Sequence, residues 1–347
     1  MNIKLNRNVN RFSLIEILMV LVILSVLFAI MMPSLHKAKV YAKYVRWYAF
    51  NRNCSNDPNC VINFNFQGTG KTFSQPPPKD ILVNSAAGAD VEGFSPQFYN
   101  GYLMNKDGGP HNLEWVRAGR FGEFKWALRF NGSDTYVVVP TTNAIDFTPS
   151  DSFTILCWVK FDRLRFGDTI FSKSLWGIPM DSEAQYDMYY NPFSGDAGNG
   201  SFDVDVFTTC GTWFTNQVDF EKAGWVHFAL RYEAIGSDAS GKLTGKVTAF
   251  INGKSLGPYI DTTEDNPKTG TATGYEGCIH YHVPFILGGA GCKRKYYDPK
   301  TFNKDDESLQ NQWSIHWNFQ GLMDELLLYK RALSDKEIAG FYEMGKE

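Results

Sequence analysis

DSFTILCWVKF (151–161) and GWVHFALRY (224–232) are apolar at almost every position. A strand with one wet face alternates instead, as FDVDVF (202–207) does, with Phe202, Val204 and Val206 on one side and Asp203 and Asp205 on the other. Short runs rich in β-branched and aromatic residues read as strands, and apolar residues on both faces mean cover on both sides. The first two stretches therefore belong in the middle of a layered β fold. Asp203 and Asp205 read as a solvated face.

Working outward, the same pattern predicts strands over 61–66, 127–130, 136–140, 169–173, 186–190, 246–252, 283–287 and 321–329. No helical period intervenes, so the expectation is an all-β sandwich or barrel. Asn252-Gly253 is a type I′ hairpin signal. The chain closes on a short helix, because Ser334 and Glu337 make a capping box and Leu333 can staple onto Ile338.

Composition agrees: 31 Gly, 15 Pro and 15% aromatic residues describe a turn-rich sheet protein that buries many rings. A net charge of −3 argues against nucleic acid as a partner. Six cysteines suit an oxidising compartment. Cys54 with Cys60, across the polar loop CSNDPNC, is the first disulfide expected, and Cys278 with Cys292 the second. Cys157 with Cys210 is weaker, since Cys157 in its apolar strand also reads as a buried free thiol. No C-x-x-C pair or histidine cluster supports zinc.

Before residue 50 the pattern is different. RFSLIEILMVLVILSVLFAIMM (11–32) is one apolar run with a single acid, Glu16. At about 1.5 Å per residue, Phe12 to Met32 covers roughly 30 Å, enough to cross a bilayer. The basic leader MNIKLNRNVNR precedes it, but Lys37, Lys39, Lys43 and Arg46 follow, so charge counting leaves the orientation open. A secretory signal or plain anchor fits a basic leader and an apolar run, yet the run is long and no A-x-A site follows it. Helical spacing continues through Leu35, Ala38, Ala42, Val45 and Ala49, so Pro33 falls inside a helix and a kink is expected. A carboxylate inside a span is costly, which marks Glu16 as functional.

Phe12-Ser13-Leu14-Ile15-Glu16, followed by the apolar helix and Pro33, resembles the signal of type IV prepilins and type II secretion pseudopilins. The resemblance implies that a prepilin peptidase cuts between Arg11 and Phe12 and methylates the Phe12 amine. It further implies that Glu16 pairs with the N-terminal amine of a neighbouring pilin or pseudopilin subunit, in a single-pass protein of the bacterial inner membrane. The family most often has Gly where this chain has Arg11.

A second resemblance covers the rest. WALRFNGSDTYVVVP (126–140), DSFTILCWVKF, GWVHFALRY, VTAFINGK (247–254), FILGG (285–289) and GLMDELLLYKRALSDKEIAGFY (321–342) resemble, in order and spacing, laminin G-like, concanavalin A-like jelly rolls. The implied fold is two antiparallel sheets packed face to face. The division expected is leader 1–11, helix 12–53, linker 54–60 and jelly roll 61–347.

Jelly rolls of this shape include glucan hydrolases, which resemble a Glu-x-Asp-x-x-Glu strand where their two carboxylates sit. That spacing is absent, and nothing assembles a Ser/His/Asp set, so no enzyme is expected; His227, in an apolar strand, reads as a satisfied packing residue. Binding is the stronger expectation, because sugar rings stack on aromatics. Candidates in polar, loop-like segments are Trp176, Tyr189, Tyr190, Trp213, Tyr296, Tyr297, Trp313 and Trp317. Asp134 and Asp324 resemble the family's calcium-associated positions and would supply oxygen ligands. A purely structural surface domain and a surface-anchored hydrolase are the competing classes.

Overall fold

The computed structural model describes residues 13–67, 77–86, 100–105, 112–139, 144–176, 183–191, 201–207, 209–214, 219–237, 243–258, 271–273, 284–293 and 313–346. Helix α1 (Leu14–Ser55) is followed by β1 (Cys60–Phe64), β2 (Ile81–Leu82), β3 (Gly101–Asn105), β4 (Glu114–Val116), β5 (Ala127–Asn131) and β6 (Thr135–Val139). Next come β7 (Phe153–Phe161), β8 (Thr169–Trp176), β9 (Glu183–Asn191), β10 (Ser201–Val206), β11 (Thr209–Phe214), β12 (Val226–Ser237) and β13 (Leu243–Ile251). The chain ends with β14 (Lys254–Pro258), β15 (Thr271–Thr273), β16 (Phe285–Leu287), β17 (Ala290–Lys293), β18 (Trp313–His316), β19 (Gln320–Tyr329) and helix α2 (Asp335–Gly345).

The strands form two sheets. The first runs β14-β13-β12-β7-β19-β5-β4, with β1 added to β19 and β15 to β13. The second runs β11-β10-β9-β8-β16-β6-β3-β2, with β17 and β18 continuing from β8. Strand β7 lies between β12 and β19, with Cys157 opposite Phe228 on one side and Leu326 on the other. Its residues Phe153, Ile155, Cys157, Val159 and Phe161 enter the core between the sheets. Leu156 points outward into a second cluster under the helices, with Cys54, Ala229, Phe250, Leu327 and Ile338. The unbroken apolarity of β7 and β12 thus has two causes, the facing sheet and a helical lid.

That lid is built from both ends of the chain. Ser13 caps α1, and Glu16 closes a capping box on it. The apolar half of α1 is bare: Leu14, Phe28, Ile30 and Met32 are all exposed. Lower down, Tyr44, Trp47, Asn51, Cys54 and Ser55 form one buried stripe at helical spacing. Helix α2 covers the neighbouring strip, with Phe50 and Phe341 ring centroids 5.1 Å apart and Tyr342 stacked on Trp158 at 5.7 Å. Its N-cap is Ser334 with Glu337 in a capping box, as expected. Asn252 and Gly253, both at positive φ, turn β13 into β14 as a type I′ hairpin.

Several expectations need correction. Helix α1 runs to Ser55 and β1 begins at Cys60, so the expected linker is a short turn held by Asp57 N–H donating to Cys54 O and Cys60 N–H to Asp57 O. Cys54 and Cys60 are free, buried thiols and no bridge joins them. Cys54 sits in the last helical turn, Cys60 donates to the Ile62 carbonyl at 3.3 Å, and both belong to the buried cluster that holds Tyr329. Burial pushes the Cys54 thiol up to about 12. Cys157 is a buried free thiol. Cys278, and the side chains of Cys210 and Cys292, lie outside the described residues. The strand read from FDVDVF is β10, which ends at Val206, and Phe207 at φ 49° leads to a second strand, β11, paired with it. Asp203 and Asp205 are not solvated: both are buried on β10, and Asp205 pairs in register with Asp187 on β9.

Candidate functional site

Two regions of the described structure concentrate polar side chains with a geometric purpose. The first joins the helix to the sandwich. Glu325, in mid-β19, accepts the indole N–H of Trp47 at 3.1 Å from each carboxylate oxygen and the Asn51 amide at 2.6 Å. Arg120 donates to Glu325 and, through Nε at 2.7 Å, to Asp324 Oδ1, while its backbone N–H reaches Asp324 Oδ2 at 2.7 Å. A third guanidinium arm donates to the Gly345 carbonyl of α2 at 3.0 Å. Lys125 donates to the carbonyls of Asp324 at 2.6 Å and Asn65 at 2.8 Å, with its ammonium 4.0 Å from the Trp47 ring centroid. Burial pulls the Lys125 ammonium down to about 8 against the opposing pull of Asp324. Two acids in an apolar strand are tolerable here because two cations and the helix's own donors satisfy them.

Asp324 therefore has Arg120 and Lys125 as partners, and cations occupy the place where a calcium ion was expected. Asp134 lies elsewhere, in the β5–β6 turn, accepting from Asn131 at 2.5 Å and Ser133 at 3.2 Å. The two expected calcium ligands are not brought together. Among the described residues no group of three His, Cys, Asp or Glu side chains is arranged to hold a metal.

The second region is one end of the sandwich, where four connections meet. Arg165, in the β7–β8 loop, donates through one guanidinium nitrogen to the Gly132 carbonyl at 2.7 Å and the Asn318 carbonyl at 2.8 Å. The same side chain pairs with Asp168 at 3.1 Å. Burial raises the Asp168 carboxyl above its ordinary value, with Arg165 opposing. Gly167 N–H donates to Tyr190 O at 2.8 Å, and Thr169 N–H to Trp317 O at 3.0 Å. Gly167 has φ +82°, and a Cβ there would stand 2.4 Å from Cδ1 of Trp317, so only glycine lets the indole lie against the loop. Leu164 N–H donates to Glu221, whose charge adds to burial in raising the Tyr190 phenol.

The result is a polar frame with Trp317 against Gly167 and Phe166 beside it in sequence. Phe166 is exposed, while Tyr189, Tyr190 and Trp317 are half-buried. Of the aromatic candidates, Trp317 lies against Gly167, Tyr190 meets the loop through its carbonyl and packs its ring 5.5 Å from Phe202, and Tyr189, next to it on β9, points to the opposite sheet face; the side chains of Trp176, Trp213, Tyr296, Tyr297 and Trp313 lie outside the described residues. Phe166 and Arg165 were missed, although the loop DRLRFGD, with a lone aromatic between charges and glycine, is the signal that marks them. Arg11 and Phe12 lie outside the described residues. Glu16 is exposed and accepts the Ser13 N–H of its own helix at 2.8 Å.

Among the described residues, His227 and Ser255 do not join a catalytic set. His227 is buried between Trp158 and Tyr342, and its Nδ1 has no hydrogen-bond partner, so it is not the satisfied residue expected. Burial first, then the Arg120 charge, drives its pKa down to about 3. Gly253-Lys254-Ser255-Leu256-Gly257 has Gly-x-Ser-x-Gly spacing, but Gly253 closes a hairpin turn and Ser255 lies within strand β14, paired with Phe250, and not on a strand-to-helix turn.

Residues 131–277 match the family described as the concanavalin A-like lectin/glucanases superfamily. The sandwich is a concanavalin A-like domain. No curated protein matches the chain. Similar solved structures include domain 4 of an extracellular arabinanase from Geobacillus stearothermophilus in complex with arabinotriose, at 16% identity and TM-score 0.43, covering 82% of this chain and 98% of that one. The binding domain of a paraclostridial mosquitocidal protein matches at 14% identity and TM-score 0.43, over 82% of this chain and 52% of that one. A Trypanosoma rangeli sialidase in complex with sialic acid matches at 14% identity and TM-score 0.46, over 87% of this chain and 38% of that one. The chain thus spans about half of the second protein and less of the third.

Proposed function

We propose that this is a prepilin-like protein whose bare apolar helix anchors it in the bacterial inner membrane and whose concanavalin A-like domain binds carbohydrate or protein outside. The observation that carries this reading is the form of α1. One helix supplies both a span-length apolar half, none of it buried, and a buried stripe built into the sandwich. An arm of this kind carries its domain wherever the apolar half is drawn. Glu16, exposed in the first helical turn, supplies the carboxylate that meets a neighbouring subunit's N-terminal amine in a pilus-like or secretion assembly.

At the other end the rim around Arg165 offers aromatic faces beside polar groups, the chemistry that sugars use. The role is binding and not catalysis, with prepilin peptidase and pilin-like subunits as partners. Asp324 is paired with Arg120, so a calcium ion would take its oxygens from other residues. The experiment is Glu16→Ala in the full chain: membrane insertion persists while crosslinking to neighbouring subunits is lost. Unchanged assembly of that variant overturns the role given to Glu16.

A further inference from the structure

The distance between the apolar half of α1 and the first contact with the sandwich is short, and it decides how the domain sits. Met32 ends the apolar run, and Lys37 already touches the sandwich, with its ammonium 2.5 Å from Glu123 and 5.8 Å from the Phe124 ring centroid. Helix α1 is continuous between them. Five residues at about 1.5 Å each place Lys37 roughly 7 Å beyond Met32. The headgroup layer on each side of a 30 Å hydrocarbon core is about 5 to 8 Å deep. The loop between β4 and β5 is therefore at headgroup height whenever α1 spans.

The charges at that height are mostly of one sign. No acid occurs in α1 between Glu16 and the end of the helix, while Lys37 is exposed on it, as is Lys39, whose backbone lies roughly 10 Å beyond Met32 and whose long side chain tilts back toward the helix N-terminus. On the facing loop, Arg117 is exposed and donates through Nε and a terminal nitrogen to the Glu123 carbonyl, at 3.2 and 2.9 Å. Glu123 is the one exposed acid on this loop, and Lys37 neutralises it. Gly122, at the tip, has φ +56° and open space where a Cβ would stand. Three cations against one carboxylate, two on the helix and one on the facing loop, suit one occupant.

We propose that Lys37, Lys39 and Arg117 form a basic collar that binds the phosphates of anionic phospholipids, seating the concanavalin A-like domain directly on the bilayer before assembly. This rests on reading α1 as the membrane anchor. Each basic side chain near an anionic surface contributes about a fivefold preference, so the collar favours a seated domain over one held clear of the lipid. Drawing the helix out of the membrane must break these contacts.

The full-length protein is placed in nanodiscs of phosphatidylglycerol with phosphatidylcholine, in phosphatidylcholine alone and in detergent micelles. Resistance to alkaline extraction reports insertion, and hydrogen exchange of residues 117–126 reports seating. Exchange in the anionic discs is expected to be at least about fivefold slower than in the neutral ones. Lys39→Glu with Arg117→Glu should remove that difference and leave insertion intact. An inserted chain whose loop exchanges equally in all three media overturns the collar alone, as does equal slowing in both kinds of disc. A chain that alkali extracts overturns the anchor reading and the collar with it.

Discussion

The indole N–H of Trp47 lies 3.1 Å from both carboxylate oxygens of Glu325, so a helix residue near the membrane arm completes the coordination of a buried acid on a central strand. The helix is not an appendage attached by a linker. It fills a place in the sandwich that no strand residue fills, and the same carboxylate holds Asn51 and Arg120.

Removing that acid strands three donors in a buried site. Glu325→Ala is expected to destabilise the protein by about 3 kcal/mol, since it leaves a buried guanidinium with only one carboxylate and the Trp47 and Asn51 donors with none. Trp47→Phe loses the shared hydrogen bond and weakens the Lys125 ring contact, for about 1 to 3 kcal/mol. Urea titration checks both, and changes under about 0.5 kcal/mol would show that the dock is decorative.

Truncation separates anchor from dock. A fragment beginning at Ser34 keeps the buried stripe and should unfold cooperatively. One beginning at Asn56 loses Tyr44, Trp47, Asn51 and Cys54 from beneath the sandwich, and should aggregate or melt at lower temperature. Equal melting temperatures for the two would mean that α1 is no part of the folding unit.

His227 makes stability fall on the acid side. Its pKa is near 6.5 when unfolded and about 3 when folded, so between these values the unfolded chain binds more protons. Stability is therefore complete above pH 6.5 and is lost as pH falls toward 3. His227→Phe should flatten this dependence between pH 6.5 and 5 in denaturant titrations. An identical slope in the variant would assign the acid limb to other groups.

At the rim, Phe166→Ala and Tyr190→Ala should each weaken glycan binding about tenfold, the usual weight of an aromatic anchor. Gly167→Ala should do the same by displacing Trp317, because its Cβ would overlap the indole. A glycan array of the full chain finds the ligand, and surface plasmon resonance then compares the variants. Blank arrays would favour a structural domain.

Much of the fold was legible because its signals are local. The unbroken apolarity of β7 and β12, the Asn252-Gly253 turn and the Ser334 and Glu337 box each act over a few residues. The short strands β2, β4 and β15 have no period to read, and Asp203 and Asp205 alternate as a wet strand does although they are covered. The dock was legible only in outline. Trp47 and Glu325 are far apart in sequence, yet two adjacent acids inside GLMDELLLY should have demanded buried cations, and Arg120 and Lys125 stand in one of several basic segments, so only folding shows which supplies them. Of the rim, Trp317 and Tyr190 were found by type, whereas Arg165 and Phe166 matter through loop contacts that only folding creates.

Mass spectrometry of the mature N-terminus tests the central claim most directly. A chain beginning at methylated Phe12 is the result expected of a prepilin-like protein. A chain that retains Met1 in cells assembling such fibres would contradict it.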